Sequence, residues 1–170
     1  SASSICVGLR SRLTPSASST SAAPDFELIG IDEEKHSLDE YAKADLLMVA
    51  FISNHCPTSH AAEGRLISLY KEFKSKGLGL VAINPNNPDG LRPDELGYSK
   101  YNDGFEDMKK YAAEEGFDFP YLYDGETQEV AKAYGESEDH FVVDTTTGLW
   151  VGNEEIPIAE IRTSLEDFDE

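Results

Sequence analysis

The chain has 170 residues, 39% hydrophobic and 28% charged, which suits one domain with its own core plus a tail. Its net charge of −19 and pI near 4.4 repel phosphate backbones and anionic lipid, so no nucleic-acid partner is expected. The longest apolar run, Leu46 to Ile52, falls well short of the roughly 18 to 20 residues of a membrane span, so no transmembrane segment is expected.

Residues 1–23 form a region apart. They are rich in Ser, Ala and Thr, carry Arg10 and Arg12, and contain no acid, while all 33 acids follow. That makeup matches an organelle transit peptide, and a low-complexity tail is the plain alternative. The start at Ser1 rather than Met fits a leader already trimmed. A chloroplast address is preferred to a mitochondrial one, with a cytoplasmic or secreted bacterial protein as the alternative. A folded domain is expected over residues 24–168. Cys6 and Cys56 are the two cysteines; they make no disulfide framework, and a bridge between leader and domain is not expected.

Within the domain, "FELIGI" (Phe26–Ile31) reads as a short strand, "DEEK" as a turn and "HSL" as a brief returning strand. Ser37 then caps a short helical turn. "DLLMVAFIS" is near-continuously apolar, the mark of a strand buried on both faces. From Pro57 to about Lys74, Leu66, Ile67, Leu69, Tyr70 and Phe73 recur at helical spacing, and Lys74, Lys76 and Gly77 supply a stop. "LGLVAIN" is a second buried strand, which makes a parallel crossover unit with the first.

The stretch Asn84 to Gly104 is a long loop holding three of the eight prolines, and loops of this length are often functional or face a partner. "FEDMKKYAAEEG" is a helix, "FPYLYD" a strand and "TQEVAKAYG" a helix. "HFVVD" and "LWVG" read as a hairpin, and Ile158 to Phe168 as a terminal helix. The order predicts an α/β sandwich around a mixed sheet. Residues 1–23 and 84–104 are the segments expected to hold a protein partner, with Leu91, Leu96, Tyr98 and Tyr101 as loop contacts.

The chemistry gathers at "FISNHCPTSHAAEGR", Phe51 to Arg65. Cys56 stands where a buried strand gives way to a helix, with Pro57 in the first turn. A sulfur there meets the N–H groups and positive end of the helix, which favours the nucleophilic thiolate. Cys56 is the candidate nucleophile, and His55 and His60 are candidate thiolate stabilisers. No cofactor and no metal are expected. A metal set of His55, Cys56 and His60 is a less favoured alternative, since its spacing fits no common zinc pattern. His36 and His140 read as strand-edge residues, and Trp150 as core or hairpin cover.

From Pro24 to about Asp144 the chain resembles the thioredoxin superfamily, on "APDFEL", "FISNHCP", "LVAINPN", "FPYLYDGETQEVAKAYG" and "HFVVD". It looks most like the branch of alkyl hydroperoxide reductase and thiol-specific antioxidant proteins, which are peroxiredoxin-like. The resemblance implies a thioredoxin-like α/β fold, a mixed central sheet flanked by helices, and puts Cys56 at the family's attacking position.

Three departures stand out. "CPTS" places Ser59 where thioredoxins have their second cysteine, so Cys56 lacks a resolving thiol in its own motif. Ser53 stands three before Cys56, as the peroxiredoxin threonine does, but Val49 replaces the proline of that pattern. "YGESEDHF" puts Glu138 or Asp139 where the family carries a Thr-Pro pair with a cis proline. The acidic surface and the lost proline lead to an expectation of a non-catalytic or weakly redox-active subunit of a larger assembly. The alternative is a monothiol (1-Cys) thiol-disulfide oxidoreductase or peroxidase using Cys56.

Overall fold

The computed structural model describes residues 23–91, 99–134, 140–144 and 150–151, the last two segments by their backbone alone. The chain opens with a hairpin, β1 (Glu27–Gly30) and β2 (Lys35–Ser37), turned through the acidic stretch with Glu33 at φ 70°. The Ser37 N–H donates to Glu40 Oε1 at 2.9 Å, so the residue three along closes the start of a 3₁₀ turn, Leu38–Tyr41. β3 (Leu46–Phe51) follows, then α1 (Pro57–Phe73) and β4 (Leu78–Asn84). After the loop come α2 (Phe105–Glu115), β5 (Tyr121–Tyr123), α3 (Glu129–Tyr134), β6 (His140–Asp144) and β7 (Trp150–Val151).

Among the described residues seven strands form one sheet, in the order β2-β1-β5-β4-β3-β6-β7. β3, β4 and β5 are parallel, and the remaining pairings are antiparallel. This is the mixed sheet that the element order predicts. Every residue of β3 is buried, because the strand has a layer of side chains on each face. Its even positions, Leu46, Met48 and Ala50, join Leu66, Leu69 and Phe73 of α1 and Met108 and Ala112 of α2. Its odd positions, Leu47, Val49 and Phe51, join Phe26, Leu122, and Val130, Ala131 and Tyr134 of α3. The two-residue period of the pleat thus sorts one apolar run into two cores.

Two stops are set locally. Gly77, at φ 94°, ends the turn that follows α1, and a Cβ there would lie 1.9 Å from Asp45 Oδ2. α3 begins only at Glu129, later than its sequence pattern suggests. Gln128 has a positive φ of 58°, and the Asp124 carboxylate accepts from the N–H of Ala131 at 2.8 Å.

The parallel strands point their carboxyl ends to one edge, so the segments after β3, β4 and β5 meet there. The Cys6 leader, Leu96 and Tyr98 of the loop, the Glu138–Asp139 junction and the terminal helix at 158–168 lie outside the described residues, as do the side chains of His140 and Trp150. Among the described residues no helix is long and apolar enough to cross a membrane.

Candidate functional site

Cys56 is the N-cap of α1, in extended conformation at φ −83° and ψ 121°, with Pro57 opening the helix. Its carbonyl accepts the first helical bond, from the His60 N–H at 3.2 Å. The side chain is half-buried. The junction is therefore built as the sequence predicts: the sulfur stands at a helix start, at the carboxyl edge of a parallel strand.

Beneath it lies a polar network that sequence reasoning missed, centred on Asp103. Asp103 is fully buried and serves as acceptor to donors from two other segments. Its Oδ1 accepts from the Asn54 N–H at 2.6 Å and from Asn84 Nδ2 at 3.0 Å. Its Oδ2 accepts from Asn86 Nδ2 at 3.2 Å and from Nδ1 of His55. Asn54 in turn donates from Nδ2 to the Asn102 carbonyl at 2.7 Å and accepts from the buried Tyr121 hydroxyl at 3.0 Å. A buried carboxylate is costly unless its lone pairs are met; here donors from after β3 and after β4 meet them. The Cys56 loop is thereby clamped to the long loop, 48 to 49 residues away in sequence.

The two histidines flanking Cys56 have separate tasks. His55 is tied to Asp103, and its side chain is 14% exposed. His60 donates from Nε2 to the Asn54 carbonyl at 2.8 Å and stacks on Tyr111, with ring centroids 5.4 Å apart. Among the described residues no group of three His, Cys, Asp or Glu side chains is placed to hold a metal ion. Of the alternative set, His55 turns Nδ1 to Asp103 and His60 turns Nε2 to the Asn54 carbonyl.

Ser59, in the place of a second cysteine, is buried and its Oγ accepts from the Ser53 N–H at 3.1 Å. The serine braces the loop between β3 and α1. Ser53 itself is fully buried, and its Oγ has no hydrogen-bond partner among the described residues.

Below His60, Glu63 of α1 is 3% exposed. The Tyr111 hydroxyl donates to its Oε2 at 2.5 Å, and its Oε1 has no partner among the described residues. Burial pushes the carboxyl above its ordinary range, against the opposing pull of the Tyr111 hydrogen bond and the nearby His60.

Tyr101 of the long loop, expected to face a partner, packs its ring edge-on against Tyr111 and donates its hydroxyl to Glu114 Oε2 at 2.5 Å. His36 stays on β2, an edge strand, held by the carboxylates of Asp32 and Glu40.

The profile of the AhpC/TSA family matches residues 20–151. A hypothetical protein of Sinorhizobium meliloti superposes with a TM-score of 0.70 at 28% identity, covering 86% of this chain and 84% of that one. An uncharacterized conserved protein of Geobacillus kaustophilus gives 0.69 at 32% identity, over 87% of this chain and 80% of its own. The thioredoxin domain of a Bacteroides vulgatus thiol-disulfide oxidoreductase gives 0.65 at 21% identity, over 88% and 96%, a likeness of fold. No curated protein matches the chain.

Proposed function

This chain belongs to the AhpC/TSA family, the peroxiredoxin-like branch of the thioredoxin superfamily, and from that premise we propose that it is a monothiol thiol-disulfide exchange protein with Cys56 as its nucleophile. The observation that carries the reading is the placement of a half-buried cysteine at the start of α1, on a loop tied to the buried Asp103 carboxylate through Asn54 and His55. A cysteine kept only as core filler has no need of a flanking imidazole held by a buried carboxylate. The sequence on its own leaned toward a non-catalytic subunit. The Asp103 network supports the other alternative.

The reaction takes a disulfide substrate through two displacements. The Cys56 thiolate attacks one sulfur of the substrate; a Cys56–sulfur bond forms, the substrate S–S bond breaks, and the second sulfur leaves as a thiolate that takes up a proton. An external thiol then attacks the mixed disulfide, releasing the first substrate sulfur as a protein-free disulfide and returning the Cys56 thiolate. The external thiol is required because Ser59 fills the place of an internal resolving cysteine.

The test is mass spectrometry of the full chain after exposure to a small disulfide such as oxidised glutathione. The expected product is one adduct at Cys56, discharged by added thiol. An unmodified Cys56 under conditions that modify a cysteine-containing model peptide overturns the proposal.

A further inference from the structure

His36 stands on the edge strand β2, and its side chain is 14% exposed. Each of its two ring nitrogens meets a carboxylate. Nε2 lies 2.9 Å from Oδ2 and 3.1 Å from Oδ1 of Asp32, in the hairpin turn. Nδ1 lies 3.0 Å from Oε2 of Glu40, in the 3₁₀ turn Leu38–Tyr41. A carboxylate can only accept, so both nitrogens must carry hydrogen, and only the imidazolium does. We propose that His36 is a pH-sensitive latch between the hairpin and the 3₁₀ turn: the imidazolium bridges Asp32 and Glu40, and the neutral ring keeps Asp32 and lets go of Glu40.

The local backbone is shaped around this bridge. Gly30 of β1 lies against it: a Cβ there would come within 2.6 Å of Asp32 Oδ1 and 2.8 Å of His36 Cδ2, so a larger residue would push the pair apart. Each carboxylate is also held by a backbone N–H. Asp32 Oδ1 accepts from Glu34 at 3.1 Å, and Glu40 Oε1 accepts from Ser37 at 2.9 Å. The two acceptors therefore stay in place when the ring changes charge, and the proton on the ring decides whether both contacts attract.

Among the described residues the charges acting on the ring are those two carboxylates. Opposite His36 on β1 stands Leu28, which is apolar. Glu27 of β1 is engaged by Lys35 at 2.5 Å, and Glu33 of the turn by Lys109 of α2 at 2.7 Å. The Tyr41 phenol stays neutral, since burial, with Glu40, Tyr70 and Asp32 nearby, pushes its ionisation up. Burial works against the imidazolium of His36, and the hydrogen bonds and charges of Asp32 and Glu40 outweigh it, so the ring holds its proton above its ordinary value of 6.5. The bridge thus contributes fully below about 6.5 and is lost as pH rises through the raised value.

The direction of release follows from the same contacts. Nε2 faces both oxygens of Asp32, and Nδ1 faces one oxygen of Glu40, so the single hydrogen of the neutral ring stays on Nε2. The lone pair of Nδ1 then points at Glu40 Oε2, and that contact opens. The Glu40 tie sits in the segment that brings Leu38 and Tyr41 to the core beside Phe26 and Tyr134. Alkaline release loosens that corner and leaves the pairing of β1 with β2 in register.

The experiment is an NMR titration of the full chain across the neutral range, about pH 5 to 9. It reads the nitrogen-15 shifts of the His36 ring, identified by their loss in His36→Gln, and the amides of Glu34 and Ser37. Expected are two protonated ring nitrogens at the acid end, a midpoint above 6.5 and a hydrogen on Nε2 at the alkaline end. The Ser37 amide, which reports on Glu40, should shift with that midpoint, and more than the Glu34 amide. Asp32→Asn and Glu40→Gln should each lower the midpoint. A midpoint at or below 6.5, an alkaline hydrogen on Nδ1, or a Ser37 amide that does not follow the ring overturns the proposal. So does a midpoint unmoved by either substitution, because a ring held from one side is no bridge. Thermal melts show which variants fold, and the wild-type titration carries the test by itself if one does not.

Discussion

Glu63→Gln should make this protein more stable at alkaline pH and leave it nearly unchanged in mild acid. Glu63 is 3% exposed, one of its oxygens has no partner among the described residues, and burial pushes its carboxyl above the ordinary range. Between the ordinary carboxylate value and the raised one, the folded protein keeps the proton that the unfolded chain has lost. The unfolded state then binds fewer protons, so stability falls as pH rises through that window and is level above it.

The amide cannot ionise and still offers an oxygen to the Tyr111 hydroxyl. The amide nitrogen takes the place of the unpartnered oxygen and is unmet in turn, so the gain is the cost of ionising a buried carboxyl, about 1.4 kcal/mol for each pKa unit of elevation. The variant should therefore gain about 1–3 kcal/mol over wild type near pH 8 and differ by less than about 1 kcal/mol near pH 5. Urea unfolding followed by far-ultraviolet circular dichroism at the two pH values measures both differences. Equal differences at the two values, or a less stable variant near pH 8, would refute the reasoning.

Other outcomes are equally concrete. Asp103→Ala strands the buried Asn54 N–H and frees three side-chain donors, and should cost about 3 kcal/mol in urea unfolding; a loss under about 1 kcal/mol would show that the network is dispensable. Leu69→Ala removes a fully buried side chain between α1 and the sheet and should cost about 2–5 kcal/mol by the same measurement, whereas no change in midpoint would contradict the packing described. Ser59→Cys restores a two-cysteine motif at the start of α1, so a mixed disulfide at Cys56 should resolve internally; persistence of the adduct without added thiol would count against the proposed geometry.

The apolar elements were legible in the sequence because burial leaves a period. "LLMVAFI" and "LGLVAIN" read as buried strands since both faces of a parallel sheet are covered, and the spacing of Leu66, Leu69 and Phe73 gave the face of α1. Cys56 was legible because strand, cysteine, proline and helix are contiguous. Asp103 was not. It sits in "YNDG", whose local signal is a turn, and its role depends on donors 17 to 49 residues away. Nothing in a linear pattern distinguishes an aspartate that shapes its own turn from one that caps another loop. Asn54 and Asn84, amides placed directly after or at the end of apolar strands, were the available hint that polar groups had to be satisfied beneath the site. Glu63 was hidden for a related reason: an acid in a helix reads as a solvated face until the helix is docked.

The most direct measurement of the central claim is steady-state reduction of a glutathione–peptide mixed disulfide by reduced glutathione, with the full chain as catalyst. Wild type and Cys6→Ser are expected to turn over at similar rates, and Cys56→Ser to fall to the uncatalysed background. A Cys56→Ser variant that turns over as fast as wild type, or a wild type no faster than background, would contradict the account.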